Sequence, residues 1–254
     1  MVSCRLQGGL GNQMFQIAAA HALALRNNDI SGFDFNQCYT PQQGHTSNKY
    51  RDNIFKKINI VSQYNYVGVY NEPSFSYNEI PYVNDMLLNG SFQSEKYFID
   101  YKNEIIKLFS DELNNEFIDE YLKQYSLPIT SVHVRRGDYI NNPNFHKPCS
   151  IEYYKKAMDI IGDSIFIFIS DDINWVKDNF KGDNIIYSPF KSEIDDLLLM
   201  VKSDNNIIAN SSFSWWGAYL NENENKKIIA PKEWFGPNGP KDTQDIIPEN
   251  WLKI

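Results

Sequence analysis

The sequence predicts an α/β fold in which helices cover a parallel β-sheet, and three observations support that class. In residues 127–254, short apolar runs that are typical of buried strands alternate with amphipathic helical segments. Three of those runs end in polar residues, at the position where open α/β sheets bind their ligands. At the amino terminus, a strand, a glycine-rich loop and a helix follow one another directly.

The first half of the chain, residues 1–126, is predicted to form one domain. In order, its elements are a strand over 2–6, a helix over about 14–26, a short strand over 32–35, irregular loops with one or two short strands over 61–95, and helices that reach about 109 and span 111–125. The domain is predicted to end at Leu127-Pro128, because a residue that precedes proline avoids the helical region.

The second half, residues 127–254, is more regular. Its predicted elements are strands over 129–135, 163–169, 184–187, 206–209 and 227–230, helices over about 150–161 and 193–202, and two more helices after residues 172 and 212. Ser150 is a good N-cap for the helix that follows it. Trp215 and Trp216 are expected in the core or in the wall of a site. Strands that alternate with helices predict βαβ units and therefore a parallel sheet.

The composition restricts the class of protein. A hydrophobic content of 42% indicates a globular chain, and 254 residues allow one large domain or two small ones. The net charge of −8 argues against a nucleic-acid binder, because such proteins usually carry a basic excess. Since neither a signal-peptide region nor an apolar run of ~20 residues occurs, we expect a cytoplasmic protein without a membrane span. Peripheral association with a membrane stays open.

Metal and disulfide chemistry find little support in the sequence. Cys4, Cys38 and Cys149 are odd in number and widely spaced, which argues against a disulfide framework. His146 and Cys149 offer two metal ligands at most, fewer than the four of a structural zinc site. No Asp-x-Asp triplet, a common way to hold a divalent ion on a nucleotide diphosphate, occurs in the sequence. We therefore expect neither a metal ion nor another cofactor.

The glycine-rich loop before the first helix is a candidate ligand site. Its three glycines allow a ligand to approach the backbone closely at the start of a helix. Asn12 and Gln13 follow and can add side-chain hydrogen bonds. The pattern matches nucleotide-binding loops only loosely, because Met14 stands where the dinucleotide fingerprint has its third glycine and no Lys-Ser/Thr pair follows. The three glycines of this loop are Gly8, Gly9 and Gly11.

The stretch from His133 to Tyr139 follows the first strand of the second half. A side-chain period of two places His133 and Arg135 on one face and Arg136 on the other. The planar guanidinium of Arg135 matches phosphate oxygens bidentately, so we interpret it as a clamp for a phosphate-bearing ligand. Arg136 is expected to orient the loop by pairing with Asp138. The alternative is that these arginines form only a structural ion pair.

Two further strand ends carry polar groups. Asp171 and Asp172 present carboxylates that could accept the adjacent N–H donors of guanine or contact a ribose. Ser211 and Ser212 open a helix, whose N–H groups could bind a second phosphate edge together with the serine hydroxyls. Alternatively, the serines only cap that helix. His133 could contact a base or hold the loop.

Four motifs occur in order along the chain: Gln7–Gln16 (QGGLGNQMFQ), His133–Tyr139 (HVRRGDY), Phe168–Asp172 (FISDD) and Asn210–Gly217 (NSSFSWWG). Together they resemble the motifs of the α-1,2-fucosyltransferases, glycosyltransferase family 11. The tail segments APKEWF at 230–235 and IPENW at 247–251 also fit. The resemblance covers nearly the whole chain and is weakest over 30–90, and its H-x-R-R motif alone is shared with α-1,6- and protein O-fucosyltransferases.

The resemblance implies a GT-B-like fold. An acceptor-side Rossmann-like domain would span 1–126, a GDP-fucose-binding Rossmann-like domain 127–254, and the donor crevice would lie between them. It also implies metal-independent, inverting transfer of L-fucose from GDP-fucose to the 2-hydroxyl of a galactose-terminated oligosaccharide, as in O-antigen or capsule biosynthesis. Two alternatives stay open: a fucosyltransferase of α-1,3, α-1,6 or protein O-linkage, and a non-catalytic module that binds GDP-sugars or glycans.

The resemblance also implies roles for single residues. Arg135 matches the arginine that holds the donor diphosphate, and His133 and Asp171 match guanine-side positions. Ser211 and Ser212 match phosphate-side positions. The candidate catalytic residues are Arg135, Asn12 and Asp138, where Asp138 is the carboxylate nearest the clamp in sequence and the general base stays open. The candidate donor-binding residues are Gly9, Gly11, Gln13, His133, Arg135, Arg136, Asp171, Asp172, Asn210, Ser211, Ser212 and Phe213.

Overall fold

The computed structural model describes residues 1–36, 46–62, 64–111 and 113–254. The chain divides into two compact units, one formed by Met1–Leu113 with Asp242–Pro248 and the other by Asn114–Lys241 with Glu249–Ile254. The domain ranges 1–126 and 127–254 stay predictions. Cys38 lies outside the described residues, and Cys4 and Cys149 are free thiols. No helix in the described part of the chain is long and apolar enough to cross a membrane.

The first unit contains a three-stranded parallel sheet. Its elements are β1 (Val2–Cys4), α1 (Leu10–Arg26), β2 (Gly68–Asn71), β3 (Met86–Asn89) and α2 (Lys102–Ser110). The strand order is β1-β3-β2, so β3 lies in the centre and its carboxyl end adjoins that of β1. Helix α1 buries most of its residues because alanines and other apolar side chains occur at helical spacing on several faces.

Two elements of the first unit differ from the prediction. Helix α1 begins at Leu10 instead of Met14, so Gly11, Asn12 and Gln13 belong to its first turn rather than to a loop. The strand predicted over 32–35 is absent from the described segment, where Phe33 makes only an isolated bridge. The carboxylate of Asp34 accepts a hydrogen bond from the backbone N–H two residues later, which turns the chain and ends the extended stretch.

The second unit contains a six-stranded sheet in which every pairing is parallel, as predicted. Its elements are α3 (Glu116–Lys123), β4 (Ile129–Val134), α4 (Ile151–Ile161), β5 (Ile165–Ser170), α5 (Ile173–Asn179), β6 (Ile185–Tyr187), α6 (Glu193–Lys202), β7 (Asn205–Ile207), α7 (Ser212–Tyr219), β8 (Ile228–Ala230) and β9 (Leu252–Lys253). The prediction that the strand over 227–230 is the last one is wrong, because the two-residue β9 pairs with β8.

Local sequence explains the elements around the centre of this sheet. All six residues of β4 are buried, and Val132 and Val134 belong to an apolar cluster with residues of β5, α4 and α5. The hydroxyl of Ser150 accepts a hydrogen bond from Tyr153 N at 3.2 Å, which confirms the predicted N-cap of α4. Trp215 and Trp216 are fully buried and therefore belong to the core.

The strand order places a topological switch point in the middle of the sheet. The order is β6-β5-β4-β7-β8-β9, so the chain moves outward from β4 in one direction and then continues from β7 in the other. Open α/β sheets bind ligands outside the carboxyl ends of the strands at such a point. The switch point of this sheet lies between the carboxyl ends of β4 and β7.

Candidate functional site

The three polar strand ends of the second half lie side by side. They follow β5, β4 and β7, which are neighbours in the sheet. This arrangement confirms the expectation that parallel strands bring the motifs to one edge. The contacts at that edge show which of the polar groups face outward and which hold the loops in place.

Arg135 follows β4 directly and is held by two carboxylates. Its Nη2 lies 2.6 Å from Asp138 Oδ1 and its Nη1 lies 3.1 Å from Asp171 Oδ2. The side chain of Arg135 is 36% exposed. That of Asp138 is 50% exposed, and that of Asp171 is 26% exposed. Burial opposes the positive charge, but the two carboxylates outweigh it and raise the pKa of Arg135 above its ordinary value. The guanidinium is thus permanently charged, held by two carboxylates and still partly accessible.

Arg136 has partners other than those of Arg135 and fixes the loop after β4, as predicted. Its Nε lies 3.1 Å from Asp172 Oδ2, and its guanidinium carbon lies 4.0 Å from the centroid of the Trp175 ring. The predicted pairing with Asp138 is wrong, because that carboxylate pairs with Arg135. Because β4 ends at Val134, one residue earlier than predicted, both arginines lie in the loop that follows it, and the loop geometry determines their partners. Donor binding by Arg136 stays a prediction.

The two aspartates after β5 support this loop. Asp171 Oδ1 accepts a hydrogen bond from Arg136 N at 2.9 Å, and a Cβ at Gly137 would lie 2.6 Å from Asp171 Oδ2. Asp172 is the N-cap of α5 and accepts a hydrogen bond from Trp175 N at 3.3 Å. Both carboxylates therefore hold the strand ends together. Their contacts with guanine or ribose stay predictions.

His133 is buried beside the ring of Phe213, with 5.6 Å between the ring centroids. Among the described residues, no hydrogen-bond partner reaches its Nδ1. Burial, with a further contribution from the charge of Arg135, lowers the pKa of His133 to about 3, so the imidazole is neutral near pH 7. Ser212 is the first residue of α7, and Ser211 is its N-cap by position, although within the described chain its hydroxyl does not cap the helix.

Asn210 connects two loops below this edge. Its Nδ2 donates to Lys147 O at 3.0 Å and to Trp234 O at 2.8 Å, and its own carbonyl accepts from the Tyr139 hydroxyl at 2.9 Å. The Tyr139 ring in turn stacks on His146, with centroids 4.5 Å apart. The amide of Asn210 therefore organises the loops, and its predicted contact with the donor stays a prediction.

Aromatic side chains that were not predicted as part of the site lie beside Arg135. The Arg135 guanidinium carbon lies 5.5 Å from the Tyr139 ring centroid, and the His146 ring also approaches Phe235, with centroids 5.7 Å apart. Tyr139, His146 and Phe235 all lie in or beside the motifs of the sequence, and their aromatic character was the signal that could have revealed them. Burial raises the pKa of the nearby Cys149 thiol to about 11. Within the described residues, no three His, Cys, Asp or Glu side chains are grouped to hold a metal ion.

In the first unit, the glycine-rich segment is organised by amides. Gly8 has φ +77°, and a side chain there would overlap Asn12. The buried Gln13 donates to Gly8 O at 2.8 Å and accepts from the Ser47 hydroxyl at 2.9 Å. Asn12 Oδ1 accepts from Gln93 Nε2 at 2.9 Å. Gln13 therefore fixes the segment, Gly9 is the N-cap of α1, and Gly11 lies in its first turn.

Comparisons with known proteins agree with these motifs. The family model described as Glycosyl transferase family 11 matches residues 1–254. The chain is 33% identical to the "O-antigen biosynthesis glycosyltransferase WbnK" of Escherichia coli over the full length of both proteins. It is 29% identical to an Escherichia coli "Alpha-1,2-colitosyltransferase" over all of this chain and 99% of that protein.

More distant similarities extend to animals and to a solved structure. The rabbit (Oryctolagus cuniculus) "Galactoside alpha-(1,2)-fucosyltransferase 2" is 25% identical over all of this chain and 77% of that protein. A crystal structure of NodZ alpha-1,6-fucosyltransferase soaked with GDP-fucose matches with a TM-score of 0.51 at 16% identity, over 86% of this chain and 91% of that one. This likeness confirms the predicted α/β, GT-B-like fold class.

Proposed function

The chain belongs to glycosyltransferase family 11, and from that premise we propose that it transfers L-fucose from GDP-fucose to the 2-hydroxyl of a terminal galactoside, with inversion and without a metal ion. The printed names of three relatives support the proposal: two specify α-1,2 transfer of a sugar, and one specifies O-antigen biosynthesis. The acceptor we propose is accordingly a galactose-terminated oligosaccharide of an O-antigen or capsule.

One observation carries the proposal, namely the charged guanidinium of Arg135 at the switch point of the sheet. Asp171 fixes it from the more buried side, and 36% of the arginine side chain stays exposed. A planar fork in this position suits the diphosphate of a nucleotide sugar. Helix α7 begins at the neighbouring strand end, and the first turn of a helix is a place where backbone N–H groups bind phosphate.

In the proposed reaction, the acceptor hydroxyl attacks the anomeric carbon from the face opposite GDP. The bond from that carbon to the β-phosphate oxygen breaks, and its electron pair stays on the departing GDP. Negative charge therefore grows on the β-phosphate, and Arg135 stabilises the transition state more than the ground state, which is what accelerates a reaction. Asn12 stays a candidate for additional stabilisation.

Before the donor binds, the carboxylate of Asp138 is paired with the guanidinium of Arg135. Because half of Asp138 is exposed, its ion pair is worth only ~0–1 kcal/mol. A diphosphate carries more negative charge than one carboxylate and takes its place, while Asp171 continues to hold the arginine. The released Asp138 carboxylate is the candidate that accepts the proton of the acceptor hydroxyl.

The proposal is tested by incubating the protein with GDP-fucose and lactose in the presence of EDTA. We expect GDP release only when the acceptor is present, and an α-1,2 linkage in the NMR spectrum of the product. Binding of GDP-fucose without turnover would favour the non-catalytic alternative, and another linkage would favour a different fucosyltransferase. Loss of activity with EDTA would refute the metal-free mechanism.

A second candidate donor is the GDP-linked form of colitose, because one relative is named as a colitosyltransferase. The same assay, run in parallel with the GDP-linked form of colitose, distinguishes the two sugars by their kcat/KM values. A preference for GDP-fucose supports the first proposal. A preference for the colitose donor would keep the family and the reaction type and would replace only the sugar.

A further inference from the structure

The segment from Gly90 to Ser94 follows the central strand of the first unit's sheet. It is tied to helix α1 at two points: Gln16 Nε2 donates to Gly90 O at 3.1 Å, and Gln93 Nε2 donates to Asn12 Oδ1 at 2.9 Å. The carboxyl ends of β3 and β1 adjoin here, and ligands of parallel α/β sheets bind outside such ends. The segment therefore lies where a ligand site of this unit is expected.

The backbone of this segment is held in an unfavourable conformation. Phe92 has φ +50°, in the left-handed region that a bulky aromatic residue rarely adopts. The carboxylate of Glu72 holds it there by accepting hydrogen bonds from Ser91 N at 2.6 Å and from Phe92 N at 3.0 Å. A side chain at Gly90 would overlap Glu72. Strain that the surroundings maintain in this way concentrates at functional sites.

Gln93 differs from the other buried glutamines of the same unit. Gln13 and Gln16 have both amide atoms hydrogen-bonded. Gln93 is only 7% exposed, and within the described part of the chain no donor reaches its buried Oε1. A buried acceptor without a donor destabilises the folded protein, so native structures rarely keep one without a reason. Only a hydrogen-bond donor can satisfy this oxygen.

The chemistry of that donor restricts the ligand. An ionised diphosphate has only acceptor oxygens and cannot satisfy an amide oxygen. A sugar hydroxyl can donate, and sugars also contact aromatic rings through their apolar faces. Tyr70, on the neighbouring strand and only partly buried, packs against Phe92 with ring centroids 6.4 Å apart. Phe92 itself is fully buried, so the segment combines an amide acceptor with one partly exposed aromatic neighbour, Tyr70, and small-molecule sites commonly combine such groups.

We propose that Gln93 is an acceptor-binding residue whose Oε1 accepts a hydrogen bond from a hydroxyl group of the acceptor sugar. The inference rests on the proposed function and adds the residue that orients its acceptor. The fucosyl group of the donor also carries hydroxyls, so the experiment must distinguish the two sugars.

The test compares Gln93→Met with Gln16→Met. Methionine keeps the length of glutamine and removes both polar amide atoms. For Gln93→Met we expect about a 3- to 10-fold rise in the KM for lactose, as for the loss of one hydrogen bond, with the KM for GDP-fucose unchanged. Gln16→Met, which removes a structural tie of the same segment, should instead lower the melting temperature without a selective rise in the KM for lactose. Gln93→Glu, which keeps an acceptor oxygen, should stay closer to the wild type.

Deoxy acceptors that retain the 2-hydroxyl locate the contact. For one of them, the wild type should lose 3- to 10-fold in kcat/KM, and Gln93→Met should lose nothing further. A rise in the KM for GDP-fucose alone would overturn the assignment in favour of the donor sugar. Equal losses for every acceptor in both proteins would show that Gln93 acts only through Asn12. A wild-type protein without transfer activity would refute the proposed function itself, whereas an active wild type with an unaffected Gln93→Met refutes only this inference.

Discussion

The substitution Arg135→Lys tests whether the site needs the planar, bidentate guanidinium or only a positive charge. Arg135 uses two different nitrogen atoms, Nη2 for Asp138 at 2.6 Å and Nη1 for Asp171 at 3.1 Å. A lysine ammonium keeps the charge but cannot hold one carboxylate and present a second planar edge to a diphosphate. The variant therefore keeps the electrostatics of the strand end and loses its geometry.

The expected effect on catalysis is much larger than the effect on folding. Removing one pre-positioned donor for the charge that develops in the transition state costs about 3–4 kcal/mol, or roughly 10²–10³ in kcat. The ion pairs of Arg135 are partly exposed, and such pairs contribute about 0–1 kcal/mol to stability. For a chain of this size, 1 kcal/mol corresponds to a shift of about 2–4 °C in the melting temperature.

The assay is GDP release at saturating lactose, together with a thermal melt of the same sample. Arg26→Lys is the matched control, because Arg26 and its exposed ion-pair partner Asp100 both belong to the first unit and Arg26 has no proposed role. It should behave like the wild type in both measurements. An Arg135→Lys variant with kcat/KM for GDP-fucose within threefold of the wild type would refute the clamp. A melting temperature that falls by 10 °C or more would show that the residue is structural instead.

Three further predictions follow from the contacts. Asp138→Asn should bind GDP up to about fivefold more tightly, because an exposed carboxylate that competes for Arg135 is removed; weaker binding in calorimetry would show that Asp138 orients the arginine. Gly8→Ala should lose transfer activity while Gly162→Ala keeps it, since both glycines have positive φ but only a side chain at Gly8 meets Asn12; equal activities would argue against a role for Asn12. Burial lowers the pKa of His133 from 6.5 to about 3, so its contribution to stability is lost as pH falls below 6.5. Burial raises the pKa of Asp196 from 3.8 to about 6, so its contribution is lost as pH rises over that interval. Between pH 7 and pH 4, the fall in melting temperature should therefore be smaller for His133→Gln and larger for Asp196→Asn than for the wild type. Identical pH profiles of the two variants would contradict both assignments.

The parts of the fold that local pattern controls could be predicted from the sequence. A side-chain period of two predicted different surroundings for Arg135 and Arg136, and the structure finds them with different partners, although β4 ends at Val134 and both lie in the loop after it. Alternation of strands and helices predicted a parallel sheet, and this in turn predicted that the three polar strand ends would meet. Ser150 was recognised as an N-cap because the capping contact spans only three residues.

The features that the sequence did not predict depend on partners far along the chain. The first turn of α1 contains Gly11, which lowers helix propensity, and buried contacts of Gln13 stabilise the turn nevertheless. The amide of Asn210 reaches across 63 residues to Lys147, and that of Gln93 across 81 residues to Asn12. No periodicity marks an amide as a clamp, since its two donors and one carbonyl fit many partners equally well.

The charge balance at the end of β4 determines which group the proposed phosphate would displace there. Arg135 and Arg136 lie among Asp138, Asp171 and Asp172, so the free strand end has no excess of positive charge. Asp171 and Asp172 are fixed by backbone hydrogen bonds, whereas Asp138 is held mainly by the arginine itself. Under the proposed function, an incoming diphosphate would therefore exchange with Asp138 rather than with the other two. That exchange would release a carboxylate at the step when the acceptor hydroxyl has to lose its proton, which couples the availability of a base to the presence of the donor.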